Sequence, residues 1–261
     1  MAEPASGRLS LEVRGAVALL GLDRPAKRNA LDDATVLALE SFFTAPPEGV
    51  RAVVLHGAGA HFSAGLDLSE LREQTLPAAI AHSRQWHRAF ERIQFGTLPV
   101  IAVLHGAVVG GGLELACAAH IRIAERSAFY ALPEAQRGIF VGGGGSVRIA
   151  RLIGVSRVMD MMLAGRTYSA EEGLAIGLTQ YLVDGRDAGM AKGLEIAERV
   201  AGNAPLTNFA VLQALPRIAE SGPAEGLFTE SLMAAIASND AEAQQRIADF
   251  LAKRAPKVER A

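Results

Sequence analysis

The chain has one cysteine, Cys117, among 261 residues. That excludes an internal disulfide and any site built on several thiolates, and it suits a reducing compartment. Neither charge is in excess: 26 Lys and Arg stand against 28 Asp and Glu, a formal net charge of −2. A dedicated nucleic-acid or anionic-membrane binder needs a basic face, and no Lys/Arg-rich run supplies one. No apolar run approaches the roughly 20 residues that span a bilayer. The longest apolar region, 98–119, is interrupted by Pro99, His105, four glycines and Glu114. The N-terminal MAEPASGRLSLEV lacks the basic-then-apolar order of a secretory signal, so a cytoplasmic location is expected. Aromatic residues are scarce, at 5%.

Several motif classes are missing as well. There is no GxxxxGK[ST] phosphate loop and no HExxH zinc motif. The run at 142–145 fails the dinucleotide fingerprint GxGxxG because Val147 stands at the last glycine position. Around Ser63 the sequence HFSAG lacks the first glycine of a GxSxG nucleophile elbow. The six histidines show no metal-ligand spacing, so neither a metal nor a bound cofactor is expected.

What the chain does have is glycine, 27 residues of it, gathered at 106–112 and 142–145. Half of the residues are apolar, enough for a sizeable core. Short apolar runs at 8–14, 16–22, 50–56, 99–104, 121–124 and 179–183 read as strands. Helical periodicity begins near Asp32, with Val36, Leu37, Leu39 and Phe43 facing inward, and covers about 77–95, with Trp86, Phe90 and Ile93 on one side. A short apolar helix is expected at 113–119, an irregular stretch from 127 to 140, and helices near 146–152, 156–163 and 170–175. After Asp187 only helices follow, so the fold class is α/β with a helical C-terminal part.

Two loops and two carboxylates carry the chemical interest. FSAGLDL (62–68) and HGAVVGGG (105–112) each follow a buried strand and lead toward a helix. Backbone N–H groups at a helix start lack partners and point outward, so two such ends side by side would hold an oxyanion. The same glycines could serve only tight turns and close packing. Glu114 sits in the apolar LELACAA, where burial is costly unless the carboxylate is partnered; it could equally serve the helix dipole. Glu134 lies among Leu132, Pro133 and Ala135. If the two met beside an oxyanion site they would form an acid/base pair, with at least one pKa raised by burial.

These motifs, with DRPAKRNAL at 23–31, LPEAQRGI at 132–139 and Ala164-Gly165-Arg166…Ala170…Gly177-Leu178, are in the order of a known family. The chain resembles the crotonase (enoyl-CoA hydratase/isomerase) superfamily over nearly its whole length. The resemblance implies a spiral of ββα units over residues 1–200. A helical region, 201–261, would follow and build homotrimers or dimers of trimers. It implies an acyl-CoA thioester as substrate, with coenzyme A carried by the substrate rather than as a separate cofactor. The oxyanion hole would be the amides of Leu66 and Gly111. Coenzyme A would lie along Lys27, Arg28, Ala30, Ala64 and Asp67, with the two basic residues near its phosphates. Glutamates at both 114 and 134 resemble the hydratases: Glu114 would deprotonate water attacking C3 and Glu134 would protonate C2. The alternatives are another crotonase-type reaction (isomerase, hydratase/lyase or thioester hydrolase) or a non-catalytic RNA-binding role. His105, His120 and Phe140 depart from the family pattern. Trp86, Phe129 and Tyr130 are candidates for the acyl pocket, although core packing would explain any one of them.

Overall fold

The computed structural model describes residues 7–70, 75–252 and 254. The chain divides after Ala201 into two compact units. In the first, a six-stranded sheet is built from β1 (Leu9–Arg14), β2 (Val17–Leu22), β3 (Ala52–Gly57), β4 (Val100–Leu104), β6 (Ile121–Glu125) and β9 (Tyr181–Val183), side by side in that order. Only β1 runs antiparallel to its neighbour. A smaller sheet joins β5 (Ala107–Val109), β7 (Phe129–Ala131) and β8 (Tyr168–Ser169). The helices are α1 (Asp33–Thr44), α2 (Leu76–Gln94), α3 (Gly111–Ala116), α4 (Gly145–Ile153), α5 (Val155–Met159), which runs on as a π-helical turn at Asp160–Ala164, α6 (Ala170–Ala175) and α7 (Arg186–Ala201).

Strand periodicity decides which layer each side chain joins. Val17 and Leu19, Ala52 and Val54, Ile101 and Val103 project to one face of the large sheet, where α7 covers them with Ile196, Ala197 and Ala201. Their neighbours Ala18, Leu20, Val53, Leu55, Ala102 and Leu104 project to the other face and into the main core. Parallel strands covered on both faces read as continuous apolar runs, which is why VALLGL, AVVL and VIAVL show no polar alternation.

The smaller sheet is longer than its three strands. Isolated bridges pair Leu31 with Leu66 and Ser63 with Val108, and β5 pairs with β7. Each turn of the chain therefore lays down a strand in the large sheet, then a short extended segment in the small one, then a helix. That is the expected spiral, and it stacks the segments 31, 63–66, 107–109 and 129–131 side by side.

Three local expectations are corrected, and a fourth falls partly outside the described residues. Leu37 is half exposed, because the buried side of α1 is Thr35, Val36, Leu39 and Phe43. The helix at the glycine triplet starts at Gly111 and is over by Ala116, since the chain must turn at once into β6. The stretch after Ser127 holds a real strand, β7, made regular by pairing with β5 and β8 rather than by its own pattern. The 62–68 loop leads into a single 3₁₀ turn, Leu68–Glu70; the expectation of a helix after it concerns residues 71–74, which lie outside the described ones.

The second unit contains α8 (Pro205–Ile218), α9 (Pro223–Ser238) and α10 (Ala241–Leu251). Pro205 and Pro223 each stand in the first helical turn, where a missing N–H costs nothing. Asp240 caps α10 by accepting from the amides of Glu242 and Ala243. Large apolar side chains stay exposed on these helices, among them Leu227, Phe228, Leu232, Ile236 and Phe250. Among the described residues no helix is long and apolar enough to cross a membrane.

Candidate active site

The register of β5 against β7 brings the two glutamates together. Val109 lies opposite Ala131, and the Gly110 amide donates to the Ala131 carbonyl at 2.9 Å. One chain then turns into α3, which carries Glu114; the other passes Pro133 to Glu134 and a 3₁₀ turn at Ala135–Arg137. A Cβ on Gly110 would lie 2.5 Å from Oε1 of Glu134. Gly110 also has φ +53°, so this crossing point requires glycine.

Glu114 is 3% exposed, between the fully buried Leu113 and Leu115. Its Oε1 accepts from the amides of Gly143 at 2.9 Å and Gly145 at 2.7 Å. Burial pushes its pKa up, while those amides and Arg148 pull it down. Glu134 is 7% exposed. Its Oε2 is buried and has no hydrogen-bond partner among the described residues. Burial pushes its carboxyl up to about 7, its own backbone amide opposes that shift, and the charge of Glu114 adds to it.

Beside the pair, the Leu66 and Gly111 backbones converge. A Cβ on Gly111 would lie 3.4 Å from the Leu66 nitrogen, and one on Gly65 would lie 3.2 Å from the Gly111 nitrogen. Neither amide donates to a protein acceptor among the described residues. Both residues line a cavity of about 220 Å³ together with Glu114 and Glu134. The loop that presents Leu66 is tied by the Leu31 amide to the Gly65 carbonyl (2.7 Å) and by the Asp67 amide to the Leu31 carbonyl (2.8 Å).

The same ties join the two segments expected to hold coenzyme A. The Ala64 amide donates to the Arg28 carbonyl at 2.9 Å, so Lys27, Arg28 and Ala30 lie next to Ala64 and Asp67. Lys27 and Arg28 are exposed. The Asp67 side chain is already taken: it accepts from Ser69 and from Arg24 at 2.9 Å. Those donors hold its carboxyl down at about 2.

Of the three aromatic candidates, Trp86 lines the cavity and lies over Gly111. Tyr130 does not, being wholly buried with Gly173 of α6 against its ring. Phe129 also stands apart from the cavity, on β7. Phe140 is 70% exposed and forms part of the wall. The sequence reading missed Ala79, His82 and Ser83, which line the wall as well. With Trp86 they recur at the three- and four-residue spacing of one helix face, so extending the Trp86–Phe90–Ile93 stripe toward the start of α2 would have found them. His82 is held by Asp33 at 2.8 Å, and Ser83 donates to the Gly142 carbonyl at 2.7 Å.

His105 and His120 lie outside the cavity. His105 Nε2 bonds the Gly59 carbonyl at 3.1 Å. His120 Nδ1 accepts from the Val100 amide at 2.9 Å, and its Nε2 faces the Gln94 carbonyl at 3.1 Å. Burial pulls the His120 pKa down to about 4, so it is a neutral imidazole joining β4 to the end of α2.

Residues 12–260 match the family model for enoyl-CoA hydratase/isomerase. The chain belongs to this family. It is 32% identical, over 92% of its length and 94% of the relative's, to the 2,3-dehydroadipyl-CoA hydratase of Escherichia coli. It is 33% identical to a "probable enoyl-CoA hydratase" of Bacillus subtilis, over 95% and 97% of the two chains. Among solved structures, a "putative enoyl-CoA hydratase" from Rhodopseudomonas palustris shares 59% identity at a TM-score of 0.92, covering 97% of both chains. Enoyl-CoA hydratase from Bacillus anthracis shares 30% at 0.88, covering 96% and 98%. The family is therefore one that processes acyl-CoA thioesters, and the spiral is the crotonase fold.

Proposed function

We propose that this protein is a 2-enoyl-CoA hydratase that adds water syn across the 2,3 double bond. The observation that carries the reading is the pair Glu114 and Glu134 in one cavity with two unused backbone amides, Leu66 and Gly111. Water is a weak nucleophile and C2 must be protonated, so hydration needs a base and an acid. The surroundings divide the roles. Two amides and Arg148 favour the anion at Glu114, whereas Glu134 Oε2 has no donor and keeps its proton.

Glu114 takes a proton from water as its oxygen bonds to C3. The π electrons move through C2 toward the thioester oxygen, which gains negative charge at the amides of Leu66 and Gly111. Glu134 gives its proton to C2 and re-forms the C=O. One water has been added; Glu114 holds a proton that Glu134 lost, and exchange with solvent restores both. No group beyond the substrate's own coenzyme A enters the scheme. We assign the coenzyme to the exposed Lys27 and Arg28 with the backbone of Ala30, Ala64 and Asp67.

A panel of 2-enoyl-CoA thioesters, followed by loss of the conjugated enoyl absorbance, tests the reading. Saturable turnover of at least one member is expected. Consumption of a 3-enoyl thioester or release of free coenzyme A, without hydration, would replace it by isomerase or hydrolase chemistry. We further assign the assembly as a homotrimer or dimer of trimers, supported by the apolar faces left open on α9 and α10. Light scattering showing a stable monomer at micromolar concentration would reject that assignment.

A further inference from the structure

The carboxylate of Glu114 is held by a loop that does not hold itself. Gly143 and Gly145 donate to Oε1, and between them Gly144 sits at φ +96°. Nothing in an all-glycine run keeps two amides convergent, because glycine has the widest choice of backbone conformations. Something outside the run must do so.

Arg148, on the first turn of α4, is 8% exposed. Its Nη1 donates to the Gly143 carbonyl at 2.7 Å and its Nε to Gln94 Oε1 at 2.6 Å. Gln94 ends α2, and its own carbonyl bonds His120. Among the described residues Arg148 forms no ion pair. A buried guanidinium is costly unless paired, yet this one is spent on two neutral oxygens. Its planar fork fixes the Gly143 peptide relative to α2, and its charge acts on Glu91 and on Glu114.

We propose that Arg148 is a positioning residue for Glu114: it braces the 142–145 loop so that two amides converge on one carboxylate oxygen, and it sets a positive charge behind them. The role as base that makes this matter for turnover rests on the hydratase reading. The charged and titratable groups facing Glu114 are Arg148 from α4, Glu134 from the turn after β7, and Cys117 just past the end of its own helix. Cys117 is pushed up to about 11 and stays neutral. Arg148 is the one cation among them, and it adds to the two amides in opposing burial.

The test uses Arg148→Met, Arg148→Lys and Gln94→Leu in the full chain. It reads kcat, KM, the pH profile of kcat, and the Glu114 carboxylate band by isotope-edited infrared titration without substrate. Arg148→Met should lower kcat by about 10²-fold with KM little changed, the loss expected for a misplaced reacting group. The acidic limb of the profile and the infrared titration should both move to higher pH, because a favourable positive charge is gone. Arg148→Lys should return the limb but not the full kcat, since an ammonium cannot span both oxygens. A folded Arg148→Met protein with unchanged kcat, or one whose Glu114 titration does not move, overturns the proposal. If that variant does not fold, Gln94→Leu removes the brace and leaves the charge; a wild-type kcat there overturns it equally. Should the wild type turn over no enoyl thioester, the hydratase reading fails, while the infrared titration still decides what Arg148 does.

Discussion

Two regions of the same cavity treat a carboxylate in opposite ways. The loop at 142–145 turns its amides toward Glu114 and sets Arg148 behind them, supplying the anion with partners. The turn after β7 buries Glu134 almost as deeply and leaves Oε2 with no donor. Both lie deep in the protein, so depth alone does not assign acid and base. The donors differ: burial raises both pKa values, and two loop amides with Arg148 oppose the rise at Glu114, whereas its own backbone amide and Arg137 oppose it at Glu134. The comparison shows how one polypeptide gives two neighbouring carboxyls different surroundings by distributing backbone N–H groups, and the proposed hydratase reading uses that difference to make Glu114 the base and Glu134 the acid.

The sharpest way to break the comparison is to remove each carboxyl in turn. Glu114→Gln and Glu134→Gln keep size and some hydrogen bonding but end proton transfer. Each should lower kcat by roughly 10²–10⁴-fold with thioester binding little changed. The double variant should lose far less than the product of the single losses, because the pair works as a unit. Steady-state kinetics with parallel binding measurements decides the matter; near-full activity in Glu114→Gln would favour an isomerase or hydrolase with one acid. In the wild type, kcat should fall as pH rises through about 7, where Glu134 loses its proton. It should also fall at low pH as Glu114 becomes protonated, giving a bell whose apparent limits belong to the pair.

A second break moves from side chains to backbone. Gly111→Pro deletes one of the two converging amides and alters the start of α3, so a loss of about 10²-fold or more in kcat is expected. Leu66→Ala keeps its amide and should retain most activity. Circular dichroism confirms the fold, and kinetics compares the pair. Equal losses in both variants would mean that the Leu66 side chain, rather than its N–H, matters.

How much of this could be read beforehand follows from where the information lies. The α/β class was legible because runs such as VALLGL and VIAVL must be buried on both faces and glycine clusters after strands mark sharp turns, whereas the spiral was implied only by the resemblance of the ordered motifs. Glu114 and Glu134 stood out as carboxylates in apolar surroundings. Their meeting was not legible, since it depends on the Val109–Ala131 register across the small sheet. The strand β7 was missed for the same reason: three residues carry no period, and pairing makes them regular. The partner of Asp67 was not legible either: its carboxylate is engaged by Arg24, far away in sequence. Arg148 looked like any helix arginine until its fork was seen to end on Gly143 and Gln94.

The smallest expected effect extends the comparison to a third buried group and concerns stability. His120 has an acceptor for one ring nitrogen and a donor for the other, so its neutral form is the one supplied with partners. Its pKa in the folded protein, about 4, lies below the ordinary 6.5. Between those values the unfolded chain binds the extra proton, so His120 stabilises the fold fully above pH 6.5 and loses that contribution as pH falls through the window. Glu134 has the reverse sign. Its folded pKa of about 7 exceeds the ordinary 4.5, so the folded protein binds the extra proton, and its contribution is lost as pH rises from 4.5 through 7. Each contributes roughly 1–3 kcal/mol across its window. Urea unfolding at several pH values between 4 and 7.5 would separate them. In His120→Gln, which can keep both hydrogen bonds, stability should rise less steeply with pH than in the wild type; in Glu134→Gln it should rise more steeply. If both variants shift the slope in the same direction, the opposed states assigned to these two buried groups are wrong.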